Sequence, residues 1–149
     1  MTTHILVTGS SRGSGAAILA AFDSDDVRAV GQGTRSGIAA DFTDPQAPAA
    51  LWQAALDQLD GRIDVLVNNA GIFELAPIDM DDDAWPDSRE RTMRTNLTAS
   101  AQLSRIAVRH WQARGPDGRL VNIASRAAYR GDPPAHWQDR KRTRLNSRH

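Results

Sequence analysis

The chain has 149 residues, enough for one domain with a real core, and a formal net charge of zero, so no global field argues for nucleic acid or an anionic membrane. It has no cysteine, which excludes a disulfide framework and a thiolate metal site. Apolar residues at 40% and charged residues at 24% suit a soluble globular protein, no apolar run nears the ~20 residues of a membrane span, and no signal peptide opens the chain, so the expected location is cytoplasmic.

HILVTG comes first: Ile5, Leu6 and Val7 form a short apolar run ending in glycine, as a strand buried on both faces does. GSGAAILAAF reads as a helix, VRAV (27–30) as a second strand and GIAAD (37–41) as a third. From Pro45 to Leu59 the pattern turns helical, with Trp52, Ala55, Leu56 and Leu59 on one face and Asp60-Gly61 as the stop. IDVLVNNAG is strand four. The acids Asp79, Asp81, Asp82 and Asp83 suit a helix N-terminus, with Pro86 tolerated if it lies in the first turn. A long helix is expected over 97–113, with Leu103, Ile106, Ala107, Val108 and Trp111 inward; RLVNIAS (119–125) is strand five. Strands alternating with helices predict an α/β fold, a doubly wound parallel sheet of the Rossmann-like kind. One link is short: the six residues GQGTRS between strands two and three, where a parallel crossover normally needs a dozen or more, so either a helix is cut down to a loop or a strand is misassigned.

TGSSRGSG (8–15) stands between the first strand and its helix. Glycines there form a tight turn and let a pyrophosphate approach the backbone, in front of the unpaired N–H groups of the helix. No Gly-Lys-Ser/Thr follows, so this is not a P-loop. Past the second strand an acid would bind the ribose hydroxyls and an arginine would accept a 2′-phosphate. The chain has Arg35 there, no acid between Val27 and Ala40, and Arg12 within the glycine turn, which favours NADP(H) while leaving NAD(H) possible.

TGSSRGSG, DFTD (41–44), NNAG (68–71), TNLTAS (95–100) and RLVNIAS occur in that order with fitting spacing. Together they resemble the short-chain dehydrogenase/reductase family over about residues 4–137. Ser14, where the family usually has a branched residue, and the short link after strand two depart from the pattern. The resemblance implies hydride transfer between the nicotinamide and a carbonyl or secondary alcohol of a small molecule, with no metal. It implies that Gly9, Ser11, Arg12, Gly13 and Gly15 cradle the phosphates, that Asp41 holds the adenine amino group with Phe42 beside it, and that Asn69, Ala70 and Gly71 line the cofactor. Asn96 resembles the asparagine that helps bind a water of the proton relay, and Ser125 the serine that polarises the substrate oxygen. Intact relatives are commonly homo-oligomers. Read alone, Asn68 and Asn69 would cap a turn, Asn96 would mark a helix boundary and Ser125 would be a strand-end hydroxyl.

The family's general acid/base is the tyrosine of a Tyr-x-x-x-Lys pattern, whose lysine stabilises the phenolate. Here the single tyrosine, Tyr129, is followed four residues on by Pro133, and the single lysine, Lys141, is preceded four residues back by Trp137. The resemblance therefore stops near Trp137, and residues 1–137 are expected to be a partial, incomplete dinucleotide domain. Residues 138–149, QDRKRTRLNSRH, hold five Lys/Arg and one acid, and read as an out-of-frame or foreign extension. Two rival readings remain: a non-catalytic NADP(H)-binding module, or a tail that binds nucleic acid through phosphates. Nucleic acid is not the expected partner.

Overall fold

The structure, a computed structural model, describes residues 2–22, 24–115 and 117–125. Tyr129, Trp137, Lys141 and the 138–149 segment lie outside the described residues.

Among the described residues, five parallel strands form one sheet: β1 (Thr3–Val7), β2 (Val27–Gly33), β3 (Ile38–Ala39), β4 (Val65–Asn68) and β5 (Arg119–Asn122). Their spatial order is β3-β2-β1-β4-β5. β1 pairs with β2 from Thr3↔Val27 to Val7↔Gly31, and with β4 from Ile5↔Val65 to Val7↔Val67. The expected Rossmann-like α/β fold is therefore present, partial relative to a full member of its class.

Alternation along the strands fixes the two faces. Leu6 and Leu66 point to the side covered by α2 (Ala47–Gln58) and α4 (Ala99–Arg114), where Leu51, Trp52, Ala55, Leu59, Leu103, Ala107 and Trp111 complete the larger core. Ile5, Val7 and Val67 point to the opposite face, against Ile18 and Leu19 of α1 (Gly13–Ala21). Helix periodicity thus located the inward residues of α2 and α4, with one exception. Val108, expected inward, is 42% exposed, because Leu103, Ala107 and Trp111 already fill the stripe facing the sheet.

Beyond trimmed ends at α2, at β4 and at β5, which stops at Asn122 rather than Ser125, three boundaries differ from expectation. Strand three is real but only two residues long. Its pairing, Gln32↔Ile38 and Gly33↔Ala39, starts level with the end of β2, so four residues suffice where a full return would need a dozen. β2 runs on to Gly33, beyond the expected Val30. The long helix does not begin at Leu97: α3 (Ala84–Met93) runs into a π-helical turn, Arg94–Thr98, and on into α4. Pro86 falls in the first turn of α3, where its missing N–H costs nothing.

At the N-terminal end of the sheet, Asp64 gathers charge. It accepts from the His4 backbone N–H at 2.9 Å, from Arg62 Nε at 2.8 Å and from Arg114 Nη2 at 2.6 Å. Burial pushes its carboxyl up, and those three donors outweigh it, bringing the pKa down to about 2. Trp111 Nε1 donates to the Ile63 carbonyl at 2.8 Å, tying α4 to the same corner.

Candidate functional site

In this strand order, the chain reverses direction across the sheet between β1 and β4, and a crevice opens at their C-terminal ends. The crevice is a cleft of about 590 Å³. Gly9, Ser11, Arg12, Gly13 and Gly15 form one wall, Asp41 and Phe42 a second, and Asn69, Ala70 and Gly71 the floor past β4. The fold thus brings together ten of the sequence-expected residues from three separate stretches.

The glycine turn is held tightly. Thr8, 1% exposed, donates from Oγ1 to the Val67 carbonyl and accepts from the N–H groups of Asn69 and Ala70, both at 3.0 Å. Asn69 Nδ2 donates back to the carbonyls of Thr8 and Gly9 at 3.0 Å each. A Cβ on Gly15 would collide with the Gly9 carbonyl and the Asn69 amide, so only glycine lets α1 start this close to β1. Gly13, at φ +56, faces open space. No side chain caps the start of α1 and no acid sits in its first turn, which leaves a positive dipole end facing the cleft.

This geometry fits a pyrophosphate: an uncapped helix N-terminus, an open glycine, and Arg12 exposed beside them. Asp41 Oδ1 accepts from the backbone N–H of Thr43 at 2.9 Å and from its hydroxyl at 2.8 Å, and these bonds hold the carboxyl below its usual range. Arg35 is exposed on the loop past β2 and does not line the cleft, whereas its neighbour Thr34 does.

Asn96 lies in the π turn, on an adjoining cavity of about 290 Å³ that it shares with Asn68, Ser100 and Ser104. Its Oδ1 accepts from the Ile72 N–H and its Nδ2 donates to the Ile72 carbonyl, both at 2.8 Å, which clamps the chain just past NNAG. A π turn leaves helical backbone groups out of the regular ladder and recurs at functional sites. Ser125 is exposed beyond β5. Asn68 belongs to the sheet: its Nδ2 donates to Ser104 Oγ and Asn122 Oδ1, both at 3.0 Å, bracing β4 against α4 and β5.

Sequence reading did not single out Thr8, Gln32, or the Glu74–Arg91 pair on the cleft rim. Gln32 carried a signal, as a lone polar residue between two glycines at the end of an apolar strand. Glu74 accepts from Arg91 Nη2 at 3.0 Å and from Ser88 Oγ at 2.9 Å; the Arg91 contact and then the Ser88 one hold its carboxyl below the ordinary value. Nothing in the sequence marks partners 14 and 17 residues apart across a loop and a helix.

Comparison with known proteins places this geometry among relatives. A family model described as short chain dehydrogenase matches residues 25–136. Galactitol 2-dehydrogenase of Agrobacterium fabrum is 34% identical over 142 residues, covering 85% of this chain and 54% of that protein. L-xylulose reductase of Bos taurus is 32% identical over 137 residues, covering 85% of this chain and 54% of that protein. A solved structure of 4-hydroxyisoleucine dehydrogenase complexed with NADH superposes with a TM-score of 0.76 at 25% identity, over 89% of this chain and 60% of that one. The chain spans about half the length of the curated relatives it matches.

Proposed function

Because the chain belongs to the short-chain dehydrogenase family, we propose that it is the cofactor-binding part of an oxidoreductase acting on the carbonyl or secondary alcohol of a small molecule with NADP(H). The observation that carries this reading is the cleft at the β1/β4 crevice, where an uncapped helix N-terminus meets the glycine turn and NNAG. The nicotinamide cofactor, when bound, supplies the hydride donor or acceptor. Ser11, Gly13 and Gly15 would hold its phosphates through backbone N–H groups, and Gly9, whose N–H goes to Gln32, would shape the turn at φ +65. Asp41 would take the adenine amino group, with Phe42 beside it, and Asn69, Ala70 and Gly71 would line the nicotinamide half. Arg12 lines the cleft, and the end of β2 carries neutral Gln32 rather than an acid, which supports NADP(H) over NAD(H). NAD(H) stays usable, as the NADH complex of the relative illustrates for that protein.

Ser125 would polarise the substrate oxygen, and Asn96 would order a water near the reacting centre. These 149 residues hold no Tyr-x-x-x-Lys pattern, so this reading assigns the family's general acid to none of them. Loss of a positioned general acid typically costs ~10²–10⁴ in rate. The chain alone is therefore expected to bind nucleotide without turning over. Residues 1–137 are taken as the dinucleotide domain and 138–149 as lying outside it. Among the described residues no helix is long and apolar enough to cross a membrane, and a cytoplasmic setting suits a nicotinamide reductase.

Calorimetric titration of the purified chain with NADPH and NADH tests the reading. Saturable binding, tighter for NADPH, and NADPH oxidation at background with a panel of ketones are expected. Arg12→Ala should narrow the preference for NADPH. A folded chain that binds neither nucleotide would overturn the proposal, and turnover above background would overturn its second half.

A further inference from the structure

Gln32 is 3% exposed, and both ends of its amide are used. Oε1 accepts from the Gly9 N–H at 2.9 Å, and Nε2 donates to the Ala40 carbonyl at 2.7 Å. The residue's own carbonyl accepts from the Ser10 N–H at 2.8 Å and from Ser10 Oγ at 3.1 Å. One residue at the end of β2 thus bridges the two walls of the cleft. Gly9 opens the glycine turn; Ala40 leads into Asp41 and Phe42. Backbone bonds tie each wall to β2 separately, Ser10 N–H to the Gln32 carbonyl and Ala40 N–H to the Gly33 carbonyl at 3.1 Å, and the Gln32 side chain is what joins the two walls directly. β3 contributes two residues of pairing, and no crossover helix stands between it and β2. An amide suits the position because it can accept from an N–H and donate to a C=O at once; a carboxylate can only accept, and an aliphatic chain can do neither.

We propose that Gln32 is a positioning residue that fixes the spacing of the phosphate wall against the adenine wall, and so sets the affinity for ligands that span both. The inference rests on the dinucleotide reading above. It makes Gln32 a strut in the place where a longer β2–β3 crossover would otherwise hold the adenine side. A ligand that touches one wall gains nothing from the spacing. A ligand that touches both gains the effective concentration that a fixed geometry gives its second half.

The test compares the full chain with its Gln32→Leu and Gln32→Glu variants. Three probes are titrated: inorganic pyrophosphate for the phosphate wall, adenosine for the adenine wall, and NADPH for both. Amide hydrogen exchange at Gly9 is followed in the same samples, without ligand. In Gln32→Leu, NADPH should weaken by about tenfold or more, while pyrophosphate and adenosine change by less than about twofold, a coupling of the size found between linked sites. Gly9 exchange should speed up. In Gln32→Glu, which keeps the acceptor, Gly9 should stay protected while NADPH still weakens, because the Ala40 carbonyl loses its donor and only the Ala40 N–H stays bonded, to Gly33. Equal losses for all three probes, unchanged NADPH affinity, or unchanged Gly9 exchange in Gln32→Leu would each overturn the proposal. If Gln32→Leu does not fold, Gln32→Glu carries the probe comparison. A wild-type chain that binds no NADPH would overturn the dinucleotide reading, and the exchange measurement would then decide separately whether Gln32 ties the walls.

Discussion

Single side chains do much of the joining between distant segments. Thr8 Oγ1 serves the N–H groups of Asn69 and Ala70 from a site 1% exposed. Thr8→Val keeps the shape and strands two part-buried donors, so it should destabilise by about 2 kcal/mol, read as a lower urea midpoint at unchanged slope. Asp64 governs the acid limb. Its folded pKa of about 2 lies below the ordinary carboxylate value, so its stabilisation is fully present above the unfolded pKa of about 4 and is lost as pH falls toward 2. The expected loss across that window is about 2 kcal/mol, and Asp64→Asn should flatten the urea midpoint between pH 4 and 2. His110 bears on a higher window: burial and the Arg114 charge lower its pKa, so its contribution is present above about 6.5 and falls as the solution becomes more acidic. The glycine turn and NNAG were legible because each needs particular residue types at fixed positions after a strand. Gln32 and Thr8 were not, because their partners are set by the fold: Gln32 reaches Gly9 and Ala40, 23 and 8 residues away.

Strands and helices were largely legible as elements, because short apolar runs of two or three residues leading into glycine or asparagine leave little choice in an alternating chain. What the pattern could not show was continuity. The stretch 84–114 reads as two helices because Arg94, Thr95 and Asn96 break the apolar stripe, yet the backbone passes through them as a π turn. That turn places Asn96 where its amide can grip the Ile72 backbone through two bonds. The clamp and the Glu74–Arg91–Ser88 contacts are what hold the segment past NNAG, which otherwise carries exposed Phe73 and Leu75. Asn96→Ala should therefore loosen residues 71–75 with a small global cost, about 1 kcal/mol since both bonds are exposed. Hydrogen exchange at Ile72 should accelerate while core amides of β1 and β4 do not change. Acceleration shared by the core amides would mean that Asn96 supports the whole fold instead. The short β2–β3 link is the converse case, in which a length below that of a usual crossover suffices because β3 pairs only with the last two residues of β2.

Across the whole sheet, coverage is uneven. Val67 on β4 is 3% exposed, and its cross-strand neighbour Val121 on β5 is 42% exposed, although the two point to the same face. The cluster on that face gathers α1 residues around Ile5, Val7 and Val67 and does not reach β5. Leu120 and Ile123 are similarly open, at 39% and 45%. β5 is also the last strand in the described order, so among the described residues it presents apolar side chains and an unpaired backbone edge together. Such an edge templates pairing with another chain, and natural sheets blunt it with charge, most often lysine. Val121→Lys should therefore raise the saturation concentration of the 149-residue chain severalfold. Its stability should move by no more than about 0.5 kcal/mol, because the side chain it replaces is not packed. Leu66→Lys, on the neighbouring strand where the side chain is fully buried, should instead unfold the protein. Sedimentation of the soluble fraction against total concentration, with urea melts of both variants, separates the two. A solubility limit unchanged by Val121→Lys, at intact stability, would mean that association proceeds through another surface, and the exposed Leu97 and Val108 on the outer side of the π turn and α4 would be the next positions to charge.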